Sequence, residues 1–159
     1  MSTPSTEIID LAVNIELECA ALYEVYARCF SSQEELVYFW RLYAEAERYH
    51  AATIRIHQAH FLATDIAPTA DDGDVDPSDA RRFLAELKEA RESAERRPPT
   101  VLEALRRARW VEEHSAELHG RTQFFRGHPQ LAEMFRAMAE EDRSHREMLD
   151  NAEKRWAQA

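Results

Sequence analysis

The chain has 159 residues, a length that suits one domain with a sizeable buried core. Hydrophobic residues make up 45% of it and charged residues 31%, and only three glycines and six prolines interrupt many helix-forming residues, so the composition predicts long helices. The formal net charge of −10 at pH 7 argues against a nucleic-acid binder, and no apolar run approaches the roughly 18–20 residues that cross a bilayer.

The first predicted hairpin occupies the N-terminal part of the chain. Its helices are expected over residues 5–30 and 33–61. Between them, "SSQEE" offers two overlapping Ser-x-x-Glu capping boxes, at Ser31 and Ser32, which favour the start of a new helix. Because the turn is short, we expect the two helices to pack antiparallel.

The connector over residues 62–99 contains a polar segment and one shorter helix. The segment "ATDIAPTADDGDVDP" (63–77) is rich in turn formers and predicts a loop. Its acidic residues invite a calcium-loop interpretation, but Pro77 stands where such a loop needs glycine, so a solvated loop is favoured. Residues 78–96 are typical of an amphipathic helix.

The second predicted hairpin has helices over residues 100–126 and 129–157. A Thr-x-x-Glu capping box begins at Thr100, Gly127 suits a position just past a helix end, and Pro129 suits a first turn. Four long helices with a long connector between the middle pair predict an all-α fold. We expect one domain over residues 1–159, a four-helix bundle of two antiparallel hairpins joined by a crossover with a short helix.

The two hairpins are similar in sequence, and each carries an acid three residues before a histidine. "FWRLYAEAERYH" (39–50) aligns without a gap on "MFRAMAEEDRSH" (134–145). "IELECAALY" (15–23) aligns on "VEEHSAELH" (111–119). The alignment matches Glu16 with Glu112, Glu47 with Asp142, His50 with His145, and Tyr23 with His119.

Four acids of this repeat fall at one level of the predicted bundle. Glu16 and Glu47 lie 15 and 16 residues from the serine at the first turn, and Glu112 and Asp142 each lie 15 residues from the glycine at the second. At a rise of about 1.5 Å per residue, all four are about 22–24 Å from their turns. Periodicity places them on apolar faces, where a carboxylate is costly unless it is paired or binds a cation. The pattern therefore predicts a metal site.

Several assignments in this layer have alternatives. A different helix rotation would make Glu141 the inward acid instead of Asp142. Tyr23 and His119 lie two turns beyond their glutamates, where they would donate hydrogen bonds that orient carboxylates as second-shell residues, or His119 would be an additional ligand. Filling of the apolar core is the alternative role for Tyr23 and His119. Cys19, one turn from Glu16, is expected to fill the core as well. No catalytic side chain is predicted apart from the metal centre itself.

The sequence resembles the rubrerythrin-like branch of the ferritin-like superfamily over nearly all of its length, most closely in "NIELECAALYEVYARCF" (14–30) and "FWRLYAEAERYHAATI" (39–54). The resemblance implies a non-haem di-iron centre with two Fe ions, a site that Mn or Zn can also occupy. Glu47 or Glu112 is then the expected bridge between the ions. The implied ligands are Glu16, Glu47, His50, Glu112, Asp142 and His145.

The resemblance also implies the type of chemistry. Reduction of peroxide or oxygen in oxidative-stress defence is the leading hypothesis. Oxidation of ferrous iron for storage or detoxification is an alternative, and a non-catalytic metal-binding helical module is another. A homodimer is the expected assembly, and a cytoplasmic location is expected because no targeting signal is evident.

The chain departs from the family pattern in three places. Asp142 replaces the usual glutamate and is one methylene shorter. Arg109 and Ser115 stand three residues on either side of Glu112, so the additional helix glutamate of rubrerythrins is missing. The two cysteines cannot form the four-thiolate iron site of a rubredoxin module, so electrons are expected from a separate donor protein.

Overall fold

The computed structural model describes residues 4–63, 77–121 and 128–158. These ranges consist of helices joined by short connections and contain no strand, which confirms the all-helical prediction. Within them, no helix has a stretch that is long and apolar enough to cross a bilayer. The helices are α1 (Pro4–Cys29), α2 (Glu34–Ala63), α3 (Ser78–Arg96), α4 (Val101–Gly120) and α5 (Pro129–Trp156).

The start of α4 shows the predicted capping box. The Thr100 hydroxyl accepts a hydrogen bond from the backbone N–H of Glu103 at 3.3 Å, and the Glu103 carboxylate accepts one from the backbone N–H of Thr100 at 2.8 Å. Each interaction satisfies a donor that the first turn of a helix leaves open. The capping box therefore fixes the residue at which α4 begins after the short connection that follows α3.

The C-terminal end of α4 differs from the prediction. The helix ends at Gly120, before the expected end near residue 126. Glycine has a low helix propensity, and the N–H of Arg121 donates to the carbonyl of Leu118, three residues back, which tightens the last turn. Gly127 and the acidic segment 71–76 lie outside the described residues, whereas α5 begins at Pro129 as predicted.

Side-chain pairs show that both hairpins are antiparallel. In such a pair of helices, partners with rising numbers on one helix have falling numbers on the other. This order holds between α1 and α2, and again between α4 and α5. The pairs are Asp10 with Gln58 and Glu24 with Arg48 in the first hairpin, and Arg106 with Glu153, Arg109 with Asp150 and Glu113 with Arg146 in the second.

The remaining pairs relate the hairpins and the connector helix. Helix α1 is antiparallel to α4, and α2 is antiparallel to α5. Helix α3 runs in the same direction as α1 and packs along it. Between α1 and α4 the pairs are Glu16 with His119 and Tyr23 with Glu112. Between α2 and α5 they are Glu35 with Arg155 and Tyr43 with His145. Between α1 and α3 they are Glu7 with Arg81 and Glu18 with Arg91.

The buried apolar residues form two clusters. The first contains a group of packed aromatic rings from α1 and α2, including Tyr23 and Trp40, together with residues of α3 and α4. The second contains residues such as Ile54 and Met138 from the other half of the bundle. Along α2 and α5 the candidate ligands fall between the members of the two clusters, and on α1 Glu16 lies at the start of the first cluster. The fold thus places a polar layer between two apolar regions.

Candidate metal centre

The predicted ligands converge from four helices into this polar layer. Helix α1 supplies one acid, α4 supplies another, and α2 and α5 each supply an acid with a histidine one turn later. Five of these side chains are buried, and the side chain of the sixth, His145, is 16% exposed. The residues are Glu16, Glu47, His50, Glu112, Asp142 and His145.

The side chains of the neighbouring acids Glu141 and Asp142 of α5 lie in different environments. Asp142 is fully buried, whereas the side chain of Glu141 is 56% exposed. The helix rotation that would turn Glu141 inward is therefore not adopted. Asp142 faces the interior, where the apolar periodicity of α5 places it.

One group of side chains that could hold a metal ion forms around His50. Its Nδ1 lies 3.2 Å from Oε2 of Glu16 and 3.3 Å from Oε2 of Glu47. All three residues are buried, and their candidate ligand atoms lie within 4.8 Å of one another. Two carboxylate oxygens and an imidazole nitrogen suit a transition-metal ion such as iron, manganese or zinc.

A second such group forms around His145 and shares one member with the first. The His145 Nδ1 lies 3.4 Å from Oε2 of Glu112 and 3.9 Å from Oε1 of Glu47. Glu47 therefore belongs to both groups, with Oε2 beside His50 and Oε1 toward His145. A carboxylate placed in this way can bridge two ions.

Two tyrosines support the second group. The buried Tyr23 hydroxyl donates to Oε1 of Glu112 at 2.7 Å, which leaves Oε2 facing His145. The Tyr43 hydroxyl donates to the backbone carbonyl of His145 at 2.9 Å. The rings of Tyr23 and Tyr43 pack edge to face, with centroids 5.6 Å apart. The apolar cluster thus positions two hydroxyl donors at the edge of the polar layer.

His119 occupies the opposite part of the layer, between α1 and α5. Its Nδ1 lies 2.8 Å from Oδ2 of Asp142, within hydrogen-bonding geometry, and its Nε2 lies 3.1 Å from Oε1 of Glu16. The residue is 2% exposed. Asp142 and His119 are in neither of the two groups of three found among the described residues.

Glu141 has a role that the sequence did not indicate. Its Oε2 lies 2.8 Å from Nε2 of His50, the nitrogen opposite the one that faces Glu16 and Glu47. A carboxylate on the outer nitrogen of a metal-binding histidine orients the ring and increases its basicity. Apolar periodicity identifies the buried face of a helix and gives no partner for an exposed residue such as Glu141. Only the packing of α5 against α2 therefore reveals this contact.

The acids of this layer perturb one another strongly. Burial raises the pKa of Glu47 well above its usual range, and the nearby charges of Glu112 and Glu16 raise it further. Burial and the charge of Asp142 also raise the pKa of Glu112, although contact with His145 opposes the shift. Close, buried like charges explain both shifts, and a cation between these acids would relieve the repulsion.

The histidines carry the compensating positive charge. Burial lowers the pKa of His50, but hydrogen bonds with Glu16 and Glu47 outweigh it and raise the pKa to about 12. Burial likewise opposes the effect of Asp142 and Glu16 on His119, whose pKa is raised to about 10. For Glu16, burial raises the pKa, but the contacts with His119, His50 and Glu47 together outweigh burial and the pKa is lowered. At neutral pH, protons on these rings offset part of the negative charge.

Buried atoms without hydrogen-bond partners concentrate in the same layer. Such atoms are rare in folded proteins because each one loses its hydration without compensation. Among the described residues, six such atoms lie here, and they come from all four helices of the layer. They are Glu16 Oε1, Glu47 Oε1, Glu112 Oε2, His119 Nε2, Asp142 Oδ1 and His145 Nδ1. Each of the six lies 3.1–3.9 Å from an oppositely charged group of the layer, so the layer is paired by charge but is not closed by hydrogen bonds. Such a donor set fits bound cations.

Metal binding should release protons from this layer. His50 holds a proton at neutral pH, and its Nδ1 must lose that proton before it binds a cation. Protons therefore compete with metal, and because the pKa of His50 is raised far above neutrality, affinity should rise with pH across the neutral range. For one released proton, Mn²⁺ affinity should increase about tenfold per pH unit. Calorimetric Mn²⁺ titrations in buffers of different ionisation enthalpy would count the protons, and an affinity independent of pH between 6 and 8 would contradict the expectation.

An open groove between α2 and α5 leads to the outer face of His50. It has a volume of about 520 Å³ and is lined by, among others, Tyr49, His50, Thr53, His57, Met138 and Glu141. On the opposite side, the aromatic rings of Tyr23, Trp40 and Tyr43 close the layer. The groove therefore reaches the layer from the α2–α5 side, whereas aromatic rings pack against its other side.

Cys19 lies in the layer as a small buried side chain. It is 1% exposed and is a free thiol, as is Cys29. Burial and the surrounding carboxylates, chiefly Glu47 and Glu16, raise the pKa of the Cys19 thiol well above its usual range. A protonated, enclosed thiol is a poor nucleophile, so this geometry favours core packing for Cys19.

Comparison with protein-family models, with characterised proteins and with solved structures finds no match for this chain.

Proposed function

We propose that the chain is a ferritin-like, rubrerythrin-like di-iron protein that reduces peroxide or oxygen. The observation that supports this most directly is the position of Glu47 between two groups of buried ligands, with its two oxygens toward different histidines. One ion would lie with Glu16 and His50, and the other with Glu112 and His145. Antiparallel hairpins with α2 parallel to α4 support the crossover topology of such bundles.

Bound iron would supply the electrons for reduction of a small oxidant. Hydrogen peroxide, two electrons and two protons give two molecules of water, and two bound ferrous ions would supply those electrons by becoming ferric. The chain holds the ions with carboxylates and imidazoles, orients His50 through Glu141, and orients Glu112 through the Tyr23 hydroxyl. The groove beside His50 admits the oxidant, and the aromatic cluster limits water on the other side.

Return of the ions to the ferrous state needs a separate electron donor. The chain has two cysteines, one buried and one partly buried, and they do not form a rubredoxin-type site. An electron-transfer protein therefore belongs to the proposed cycle. Assembly as a homodimer in the cytoplasm is part of the same proposal.

Anaerobic Fe²⁺ titration of the metal-free protein, followed by peroxide, tests this function. We expect two Fe²⁺ per chain and rapid loss of peroxide with formation of ferric absorbance. With a chemical electron donor, repeated peroxide additions should give repeated turnovers. The double variant Glu47→Gln/Glu112→Gln should lose iron and activity. Its matched control, Glu45→Gln/Glu113→Gln, removes two exposed acids from adjacent positions and should retain both.

Oxidation of ferrous iron for storage or detoxification is the second candidate. The groove that reaches His50 is also lined by Glu133 and Glu141, and exposed carboxylates favour the passage of a cation. In that function, iron would leave the site after oxidation, so ferric iron would accumulate in excess of two ions per chain. A chain that takes up no iron in the titration would instead be a non-catalytic helical module.

A further inference from the structure

The two halves of the repeated site are not equivalent in the structure. By the internal alignment, Asp142 corresponds to Glu47, and symmetry would make it a second bridging carboxylate. Glu47 belongs to both groups that could hold an ion, whereas Asp142 belongs to neither of the groups found in the described residues. Burial does not explain the difference, since both acids are buried.

A second substitution in the repeat coincides with this difference. The alignment matches Tyr23 of α1 with His119 of α4. Each side chain contacts the acid on the other helix: the Tyr23 hydroxyl binds Glu112, and His119 Nε2 lies 3.1 Å from Glu16. Tyrosine has a single polar atom, but histidine has a second one. His119 uses its Nδ1 to contact Asp142 at 2.8 Å.

The contact with His119 limits what Asp142 can offer to a metal. A carboxylate that bridges two ions with one oxygen on each, as Glu47 is placed to do, must present both oxygens. Oδ2 of Asp142 is held by His119, and only Oδ1, which has no hydrogen-bond partner, remains 3.8 Å from Nδ1 of His50. The aspartate side chain is also one methylene shorter than that of Glu47, so it cannot extend past the contact.

We propose that His119 is a positioning residue that withholds one oxygen of Asp142 from the metal, so that Glu47 is the single bridging carboxylate of the centre. The inference rests on the metal centre of the proposed function. The two ions then have unequal surroundings. Asp142 can contribute Oδ1 to the ion beside His50, whereas the ion beside His145 relies on Glu47 and Glu112.

Matched amide substitutions test the inequality of the two acids. Mn²⁺ would be titrated into metal-free Asp142→Asn and Glu47→Gln, with the unbound ion measured by its paramagnetic resonance signal. Asp142 offers at most one oxygen to a single ion position, so Asp142→Asn should bind two Mn²⁺ with less than about a tenfold loss of affinity, whereas Glu47→Gln, which changes the acid shared by both groups, should lose more than about 100-fold for the second ion. Equal losses in the two variants would overturn the inference.

Substitution of His119 tests whether its contact with Asp142 causes the difference between the two acids. His119→Leu releases Oδ2, so in that background Asp142→Asn should lower the affinity for the second ion more than about tenfold, a coupling between neighbouring residues. His119→Asn retains a donor near the Nδ1 position and should behave as the wild type. No coupling in His119→Leu would overturn the positioning role. The comparison of Asp142→Asn with Glu47→Gln stands even if His119→Leu does not fold.

The result also separates this inference from the proposed function. If the wild-type chain binds two Mn²⁺ and Asp142→Asn loses the second, only the inference about Asp142 and His119 is wrong. If the wild-type chain binds no Mn²⁺ and no Fe²⁺, the metal centre and the inference are both overturned.

Discussion

Glu47→Gln should reduce iron binding from two ions per chain to one or fewer and abolish peroxide reduction. The side chain is buried, and its two oxygens face different histidines, so one substitution affects both ion positions. Loss of a ligand that is shared by two ions should lower affinity by at least about 100-fold, the upper range for a single supporting contact. Anaerobic Fe²⁺ titration with metal counting measures the effect.

Glu45→Gln is the control for this substitution. Glu45 lies on the same helix two residues earlier, and its exposed side chain pairs with Arg48 at 2.6 Å. Exposed pairs of this type contribute little, about 0–1 kcal/mol, so the control should bind two ions and keep its stability. Two tightly bound ions in Glu47→Gln would show that another carboxylate bridges them.

Glu47→Leu should stabilise the metal-free protein while it removes the stabilisation by metal. In the absence of a cation, the buried Glu47 carboxyl is close to Glu16 and Glu112, and its raised pKa reflects the free energy of that arrangement. Replacement of buried charged groups by apolar side chains of similar volume stabilises proteins by about 1–4 kcal/mol in favourable instances. His50 retains Glu16 and Glu141 as partners in this variant, so no new buried charge is left alone.

Denaturant unfolding with a chelator and with Mn²⁺ would measure both effects. With chelator, the free energy of unfolding should be higher for Glu47→Leu than for the wild type. With Mn²⁺ at about 100 times its dissociation constant, the wild type should gain about 2.7 kcal/mol, and the variant should gain little. A variant less stable than the wild type in chelator would show that the Glu47 carboxyl stabilises the metal-free bundle.

The sequence predicted the helices well because their signals are local. α3 spans residues 78–96 as expected, and the Thr100 capping box and the Pro129 start follow from the preferences of single residues. The end of α4 at Gly120 was missed because Gly127 also suits the position just past a helix end. Helix ends depend on the conformation of the following connection, which periodicity does not encode.

The inward position of the acids could also be predicted, but their partners could not. Periodicity places Glu16, Glu47 and Asp142 on apolar faces, and equal distance from the turns places them at one level. Which oxygen contacts which ring depends on the separation and rotation of packed helices. The contacts of His119 with Asp142 and of Glu141 with His50 join different helices, and no spacing within one helix indicates them.

The polar layer also determines how the bundle holds together along its length. Apolar clusters lie on either side of the layer, and on α2 the chain passes from Ala44 through Glu47 to Ala51, that is, from one cluster to the other. Without cations, the four helices are joined at this level only by histidine–carboxylate contacts, so we expect the two ends to open more independently of each other. Bound ions would tie the four helices at mid-height and make the two ends unfold as one cooperative unit. The metal centre would then couple the two ends of the bundle in unfolding as well as being the reaction site.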